Sequence, residues 1–209
     1  QVKFEEEARA LYKKDPKIMR LWKETRKWSL EYFDRIYKRL YTNFDRLYFE
    51  SEVAAPGLKI ARAALKKGIL KMSDGAVIFR GEKYDLHTRV FLNSEGLPTY
   101  EAKELGLAKL KFERYPYDQS VVITGNEVAS YFAVLKKVLE LIMPDLAEKT
   151  KHISHGMLRL PTGKMSSRTG EVVTAEAVLG EVKEQINQKM SERAFSDEET
   201  EKIAEAVTI

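Results

Sequence analysis

The sequence predicts an α/β fold, a partial parallel sheet with a β-rich insertion and C-terminal helices, and three observations carry that expectation. "QSVVIT", Gln119 to Thr124, is a short apolar run bounded by polar residues, as a buried strand requires, and it passes at once into a helical pattern. Upstream, from about residue 72 to residue 100, β-branched and aromatic runs alternate with the turn signals Asp74-Gly75, Arg80-Gly81 and Glu95-Gly96, which reads as an antiparallel meander. Downstream, Thr174 and Ser196 stand where helix caps belong, each followed by an amphipathic run.

The elements follow in order. Phe33, Ile36, Tyr37, Leu40 and Phe44 recur at three- and four-residue spacing, the face of a long amphipathic helix. Trp22, Trp28, Tyr32, Tyr37 and Tyr41 lie among Lys and Arg like a base-stacking surface, but helical periodicity explains most of them as core packing. "RLYFES", Arg46 to Ser51, has the length and aromatic content of a strand. "APGLKIARAALKKG" reads as a helix with Pro56 near its start and Gly68 at its end. After the meander, a helix is expected from about Glu101 to Phe112. Past the Gln119 strand, Asn126 is placed to cap a helix that turns Val128, Tyr131, Phe132, Leu135, Val138, Leu139 and Ile142 inward and stops at Pro144. A further strand is expected over about His152 to Leu158. Thr174 then caps a helix through Val178, Val182 and Ile186, and Ser196 with Glu199 forms a capping box for the last one.

Composition bounds the function. The chain has 209 residues, enough for one domain and an appendage; 44 % are apolar and 33 % charged, the balance of a folded globular protein. Thirty-six basic against 32 acidic residues give a net charge of +4, too even for a dedicated polyanion-binding module. Without cysteine there is no disulfide, thiolate metal site or cysteine nucleophile, and His87, His152 and His155 are too scattered to suggest a metal site. No apolar run approaches the length of a membrane span, so a cytoplasmic protein without membrane contact is expected.

The chemistry concentrates in "RLPTGKMSSRTGE", Arg159 to Glu171. It is not a Walker A loop: six residues separate Gly156 from Gly163, and Lys164 is followed by Met165. Gly163 and Gly170 flank Lys164, Ser166, Ser167 and Arg168, the inventory that grips a pyrophosphate by charge and hydroxyl donors. A solvated turn has the same composition, so the residues alone leave both readings open.

The motif "KMSS", Lys164 to Ser167, resembles the second signature of class I aminoacyl-tRNA synthetases, and the segment from His152 to Ile186 is similar to the same region of arginyl-tRNA synthetases. "SDG" at Ser73, "PTYEAKELGLA" at Pro98, "TGNE" at Thr124 and "HGM" at His155 follow in the family's order, so the resemblance covers nearly the whole chain. It implies a Rossmann-type catalytic domain that condenses arginine with ATP to arginyl-adenylate and transfers arginine to the 3′ adenosine of tRNA(Arg). Residues 1–170 would be the C-terminal part of that domain, and 171–209 the start of a helical anticodon-binding domain.

On the resemblance, Lys164, Ser166 and Ser167 are catalytic, stabilising the pyrophosphate leaving group. Gly156, Met157 and Lys164 bind ATP, with Mg²⁺ accompanying the nucleotide and no permanent cofactor. Tyr100, Glu104 and Glu127 receive arginine, where the family places Tyr, Asp and Gln. The family's first signature, H-x-G-H, does not occur, so the 209-residue chain alone is expected to be inactive, and the intact enzyme monomeric. A noncatalytic nucleotide- or tRNA-binding paralogue, a class I synthetase for another amino acid, and a scaffold whose loop is only a turn are the competing readings.

Overall fold

The computed structural model describes residues 6–7, 10–156, 173–190 and 195–209. They form two compact units, one joining the chain up to Asp45 with its C-terminal helices, the other beginning at Arg46 and including everything described up to Gly156.

In the first unit, helix α1 spans Pro16–Arg39, with Pro at its first position and the Asp15 carboxylate accepting from the Lys17 and Ile18 N–H groups at 3.0 and 3.1 Å. It stops earlier than the aromatic periodicity suggests, because Tyr41 turns into the left-handed region at φ +51°. Core packing holds for only part of the aromatic set: Trp22, Tyr32 and Tyr37 are half-buried. Ile36 is the buried residue of α1, whereas Trp28 is 57 % exposed and Phe33, Tyr41 and Phe44 are exposed too. Periodicity marks an apolar stripe; it does not supply the element that covers it.

The two C-terminal helices, numbered α6 (Ala175–Met190) and α7 (Asp197–Thr208) in chain order, start as the caps foretell. Thr174 Oγ1 accepts from Ala177 N–H, and Ser196 and Glu199 close a reciprocal capping box. Glu205 on α7 receives Arg39 from α1 at 2.6 Å and Lys183 from α6 at 2.9 Å, and Tyr32 donates to Glu176. The unit is therefore tied by charge as much as by apolar burial.

The second unit begins with a correction. Residues 46–49 form no strand, and helix α2 spans Glu50–Lys66, so Pro56 lies inside it rather than at its start. The Glu52 carboxylate accepts the Phe49 N–H at 3.0 Å and the Arg114 guanidinium at 3.0 Å, a cap that starts the helix upstream of the proline.

Strands β1 (Lys71–Ser73), β2 (Ala76–Phe79) and β3 (Arg89–Leu92) form the expected antiparallel meander. Asp74 and Gly75, both at positive φ, make the two-residue turn that pairs Ser73 with Ala76. Helix α3 then spans Tyr100–Arg114 and packs against α2. Their backbones meet at glycines: a Cβ on Gly57 would lie 2.2 Å from the Ala102 carbonyl oxygen, and one on Gly106 would lie 2.5 Å from that of Val53.

Strand β4 (Ser120–Gly125) pairs in parallel with β5 (Thr150–His155), from Ser120 opposite Thr150 to Gly125 opposite His155. Helices α4 (Ala129–Ile142) and α5 (Pro144–Lys149) make the crossover between them. Two local expectations fail here. Asn126 opens a 3₁₀ turn, Asn126–Val128, with no side-chain cap to α4, and Pro144 starts a helix as well as ending one. One face of the pair looks into the unit; on the other, Val121, Ile123 and Ile153 are exposed, Ile123 at 66 %. The core of the unit holds Leu70, Phe79, Phe91, Leu105, Val134 and Val138, all fully buried.

Gly106→Ala should destabilise this unit by about 1–3 kcal/mol through forced separation of α2 and α3, read as an earlier midpoint in urea. Gly156→Ala should leave the midpoint unchanged, because among the described residues a Cβ there meets nothing within 4 Å. In the first unit, hydrogen bonds from Arg39 and Lys183 lower the Glu205 carboxyl from the ordinary 4.5 to about 2. A depressed carboxyl pKa adds stability above the unfolded value and loses it as pH falls through the folded one. Thermal melts should therefore drop between pH 4.5 and about 2, and the drop should be shallower in Glu205→Gln.

Candidate active site

Helix α3 carries chemistry from one end of the parallel pair to the other. Its Lys111 lies at the amino end of β4, where Nζ donates to Ser120 Oγ at 2.9 Å. Three turns earlier Tyr100 opens the helix, and Glu104 stands one turn in. Glu104 acts electrostatically on Tyr131, in the first turn of α4 just past the carboxyl end of β4. Glu104 thus stands between two groups, acting on Tyr131 past the carboxyl end of β4 and on Lys111 at its amino end.

Glu104 and Lys111 face one pocket between α3, α4 and the strands, whose other polar members are Ser120, Lys136, Thr150 and His152. The remaining wall is apolar, including Leu105, Val122, Phe132, Leu135 and Leu139. His152 is fixed: its ring stacks on Phe132 with centroids 4.1 Å apart, and Nε2 hydrogen-bonds Thr124 Oγ1 at 2.8 Å. The cavity measures about 40 Å³, room for a few waters rather than for a whole amino acid.

Burial sets the electrostatics. It raises the Glu104 carboxyl above its ordinary range; Lys111 opposes that shift and Glu50 adds to it. The Lys111 ammonium is lowered by burial, with Glu104 opposing. Tyr100 is raised chiefly by the Glu50 carboxylate beside it, and Glu50 is itself paired with Lys103 at 2.6 Å. Tyr131 rises furthest, through burial and then the Glu104 and Glu101 carboxylates, so its phenol stays protonated.

The expected arginine-binding set is only partly assembled. Tyr100 and Glu104 share a helix face and interact, with Tyr100 65 % exposed and its hydroxyl engaged by the Glu50 carboxylate. Glu127 is exposed on the 3₁₀ turn, and no described contact joins it to the other two. Gly156 is exposed at the end of β5, with His155 Nδ1 donating to its carbonyl at 2.6 Å. Met157, Lys164, Ser166 and Ser167 lie outside the described residues.

Two groups escape a reading of the sequence. Lys111 lies seven residues after Glu104, a helical spacing that carries no motif. Tyr131 fits the inward stripe of α4 as a core residue, yet its hydroxyl is buried and finds no hydrogen-bond partner among the described residues, with the Arg89 guanidinium 5.7 Å from its ring centre. Its one sequence signal is a hydroxyl among inward positions that are otherwise purely apolar.

A parallel strand pair with a helical crossover, beside an antiparallel meander and flanking helices, is an α/β arrangement of the class I synthetase kind. The chain belongs to the family described as tRNA synthetases class I (R), catalytic domain, whose model matches residues 2–209. An arginine–tRNA ligase of Porphyromonas gingivalis is 34 % identical over 169 residues, covering 80 % of this chain and 28 % of the relative. One from Treponema pallidum is 34 % identical over 200 residues, covering 93 % and 34 %. The chain thus spans about a third of the length of the relatives it matches.

Solved structures agree on the fold. An arginyl-tRNA synthetase of Plasmodium falciparum superposes with a TM-score of 0.76 at 16 % identity, covering 97 % of this chain and 34 % of that one. The Thermus thermophilus enzyme gives 0.61 at 20 % identity, covering 95 % and 41 %. Among the described residues, no helix is long and apolar enough to cross a membrane.

A desolvated carboxylate with a raised pKa destabilises the fold where it is ionised, so its cost appears as pH rises from the unfolded value through the folded one. Glu104→Gln should therefore raise the melting temperature at pH 7–8. The gain should vanish near pH 4, where both forms are neutral, to within about a unit.

Proposed function

We propose that the chain is the arginine-selecting and pyrophosphate-facing part of an arginine–tRNA ligase. The observation that carries this reading is Glu104, a half-buried carboxylate on the same helix face as Tyr100 and beside a parallel pair, in a chain of the class I (R) family. A guanidinium presents a planar fork of N–H donors, and a carboxylate held in a partly apolar pocket is its best match. Tyr100 offers a phenol oxygen from the same helix face, and Glu127 is the third acceptor.

In the reaction, a carboxylate oxygen of arginine attacks the α-phosphorus of ATP, and the α–β anhydride breaks with its electron pair leaving on pyrophosphate. Lys164, with Ser166 and Ser167, neutralises that developing charge by position alone, without a protein nucleophile. Gly156 and Met157 lie along adenine, and Mg²⁺ travels with the phosphates. The arginyl group then passes to the 3′ adenosine of tRNA(Arg). Residues 1–170 belong to the catalytic domain and 171–209 open the anticodon-binding domain of a monomeric, cytoplasmic enzyme.

Binding separates this reading from a scaffold. Glu104→Ala should cost arginine about ten- to a hundredfold in affinity, the loss of a charge-assisted hydrogen bond, while the neutral isostere citrulline is unaffected. Lys164→Ala should weaken ATP in the same range. Equal affinity for arginine, lysine and glutamine in a competition assay would point to another class I specificity. Because H-x-G-H is absent, ATP–pyrophosphate exchange with arginine and tRNA(Arg) should be undetectable for the 209-residue chain; brisk turnover would overturn that part of the reading.

A further inference from the structure

The pocket holds a carboxylate and an ammonium that share a helix face yet form no ion pair among the described residues. Lys111 is anchored elsewhere. Its Nζ donates to Ser120 Oγ at 2.9 Å, and Ser120 is itself 8 % exposed, one of two buried polar residues in the chain's described part. The ring of Tyr117 lies against the same ammonium at 5.9 Å. Burying an ammonium is costly, and a hydroxyl alone is a poor partner for it. Something must compensate, and the charge facing it is Glu104.

The converse matters more for function. A half-buried carboxylate that shares its pocket with Leu105, Val122, Phe132 and Leu135 is drawn toward its neutral acid, a form that gives a guanidinium little. A direct salt bridge would keep it ionised but would occupy the oxygens that a ligand needs. An ammonium held away from it, acting through a poorly screened pocket, supplies the charge and leaves the acceptors open. No described group donates a hydrogen bond to Glu104.

The other groups facing Glu104 do not replace Lys111. Glu50 on α2 repels it, as does any negative charge on Tyr100; Tyr131 on α4 is a neutral phenol. His152 on β5 is engaged by Thr124 and Phe132, and Lys136 on α4 is exposed, where solvent screens it.

We propose that Lys111 is a positioning residue for Glu104: an anchored counter-ion, out of contact, that keeps the carboxylate ionised while leaving its oxygens free for a guanidinium. The proposal deepens the arginine reading above and rests on it. Lys111 does not touch substrate; it sets the pH range over which Glu104 can receive it.

The test uses the 209-residue chain with ¹³C-carboxyl-labelled glutamate, the Glu104 signal being identified by its loss in Glu104→Gln. In Lys111→Met the Glu104 titration midpoint should move up by about one unit, and Lys111→Arg should return it toward the parent. Ser120→Ala, which keeps both charges and frees the lysine to reach Glu104, should move it down instead. L-arginine affinity measured against L-citrulline should then fall about three- to tenfold in Lys111→Met near pH 5.5 and converge with the parent by pH 8.

An unmoved midpoint in Lys111→Met and Ser120→Ala overturns the proposal whether or not arginine binds. An equal loss of affinity at every pH also overturns it, because that marks a structural role. A midpoint that moves in a chain that binds arginine no better than citrulline overturns instead the arginine reading of Glu104, and with it the ligand half of this proposal.

Discussion

The second unit depends on how closely α2 and α3 approach. Gly57 and Gly106 let the two backbones meet where any side chain would strike a carbonyl oxygen at 2.2–2.5 Å. Fully buried Ala61 and Ala64 continue the small-residue stripe of α2 away from that contact. Because α3 is seated in this way, Tyr100, Glu104 and Lys111 are carried to fixed stations along the parallel pair. A helix displaced by one methyl group would carry all three with it. The chemistry of the site is therefore set by a contact that contains no functional group.

The same helix shows a conflict between folding and recognition. Leu105 and Ala102 are fully buried on α3, yet Glu104 between them is directed into the pocket, and burial draws its carboxyl toward the neutral form. Tyr131 repeats the pattern, with a buried hydroxyl that no described group satisfies. Isolated polar groups of this sort weaken a fold by about 1–3 kcal/mol each, and native chains carry few of them. Glu104 and Tyr131 act on each other across α3 and α4, so the cost of both is borne at one place in the unit.

What can be read from the sequence is local. Asp74-Gly75 specifies its hairpin because only a turn with two positive φ angles suits the twist of the flanking strands. Ser196 with Glu199 specifies a helix start because both partners lie within four residues. Where the deciding partner is remote, pattern misleads. Pro56 reads as a helix start, but Glu52 and Arg114 cap the helix upstream of it. Trp28 and Phe33 read as core, but helical periodicity cannot say whether a neighbour arrives. At the site, Tyr100 and Glu104 are legible as a resemblance and as a helical spacing. Lys111 is not, because its relation to Glu104 exists only once β4 brings Ser120 beside it.

Three glycines in this chain answer to different judges. Gly57 and Gly106 are enforced by the fold, since a methyl group at either disrupts helix packing and exposes the chain to the machinery that removes misfolded proteins. A Cβ on Gly156, at the tip of β5, would meet none of the described residues, and among them the position is under no such supervision. An altered residue there would pass through synthesis, folding and turnover as if nothing had happened. Its effect would surface only when a ligand tried to lie against the strand end, which makes this the position at which a loss of activity would be hardest to trace from protein levels.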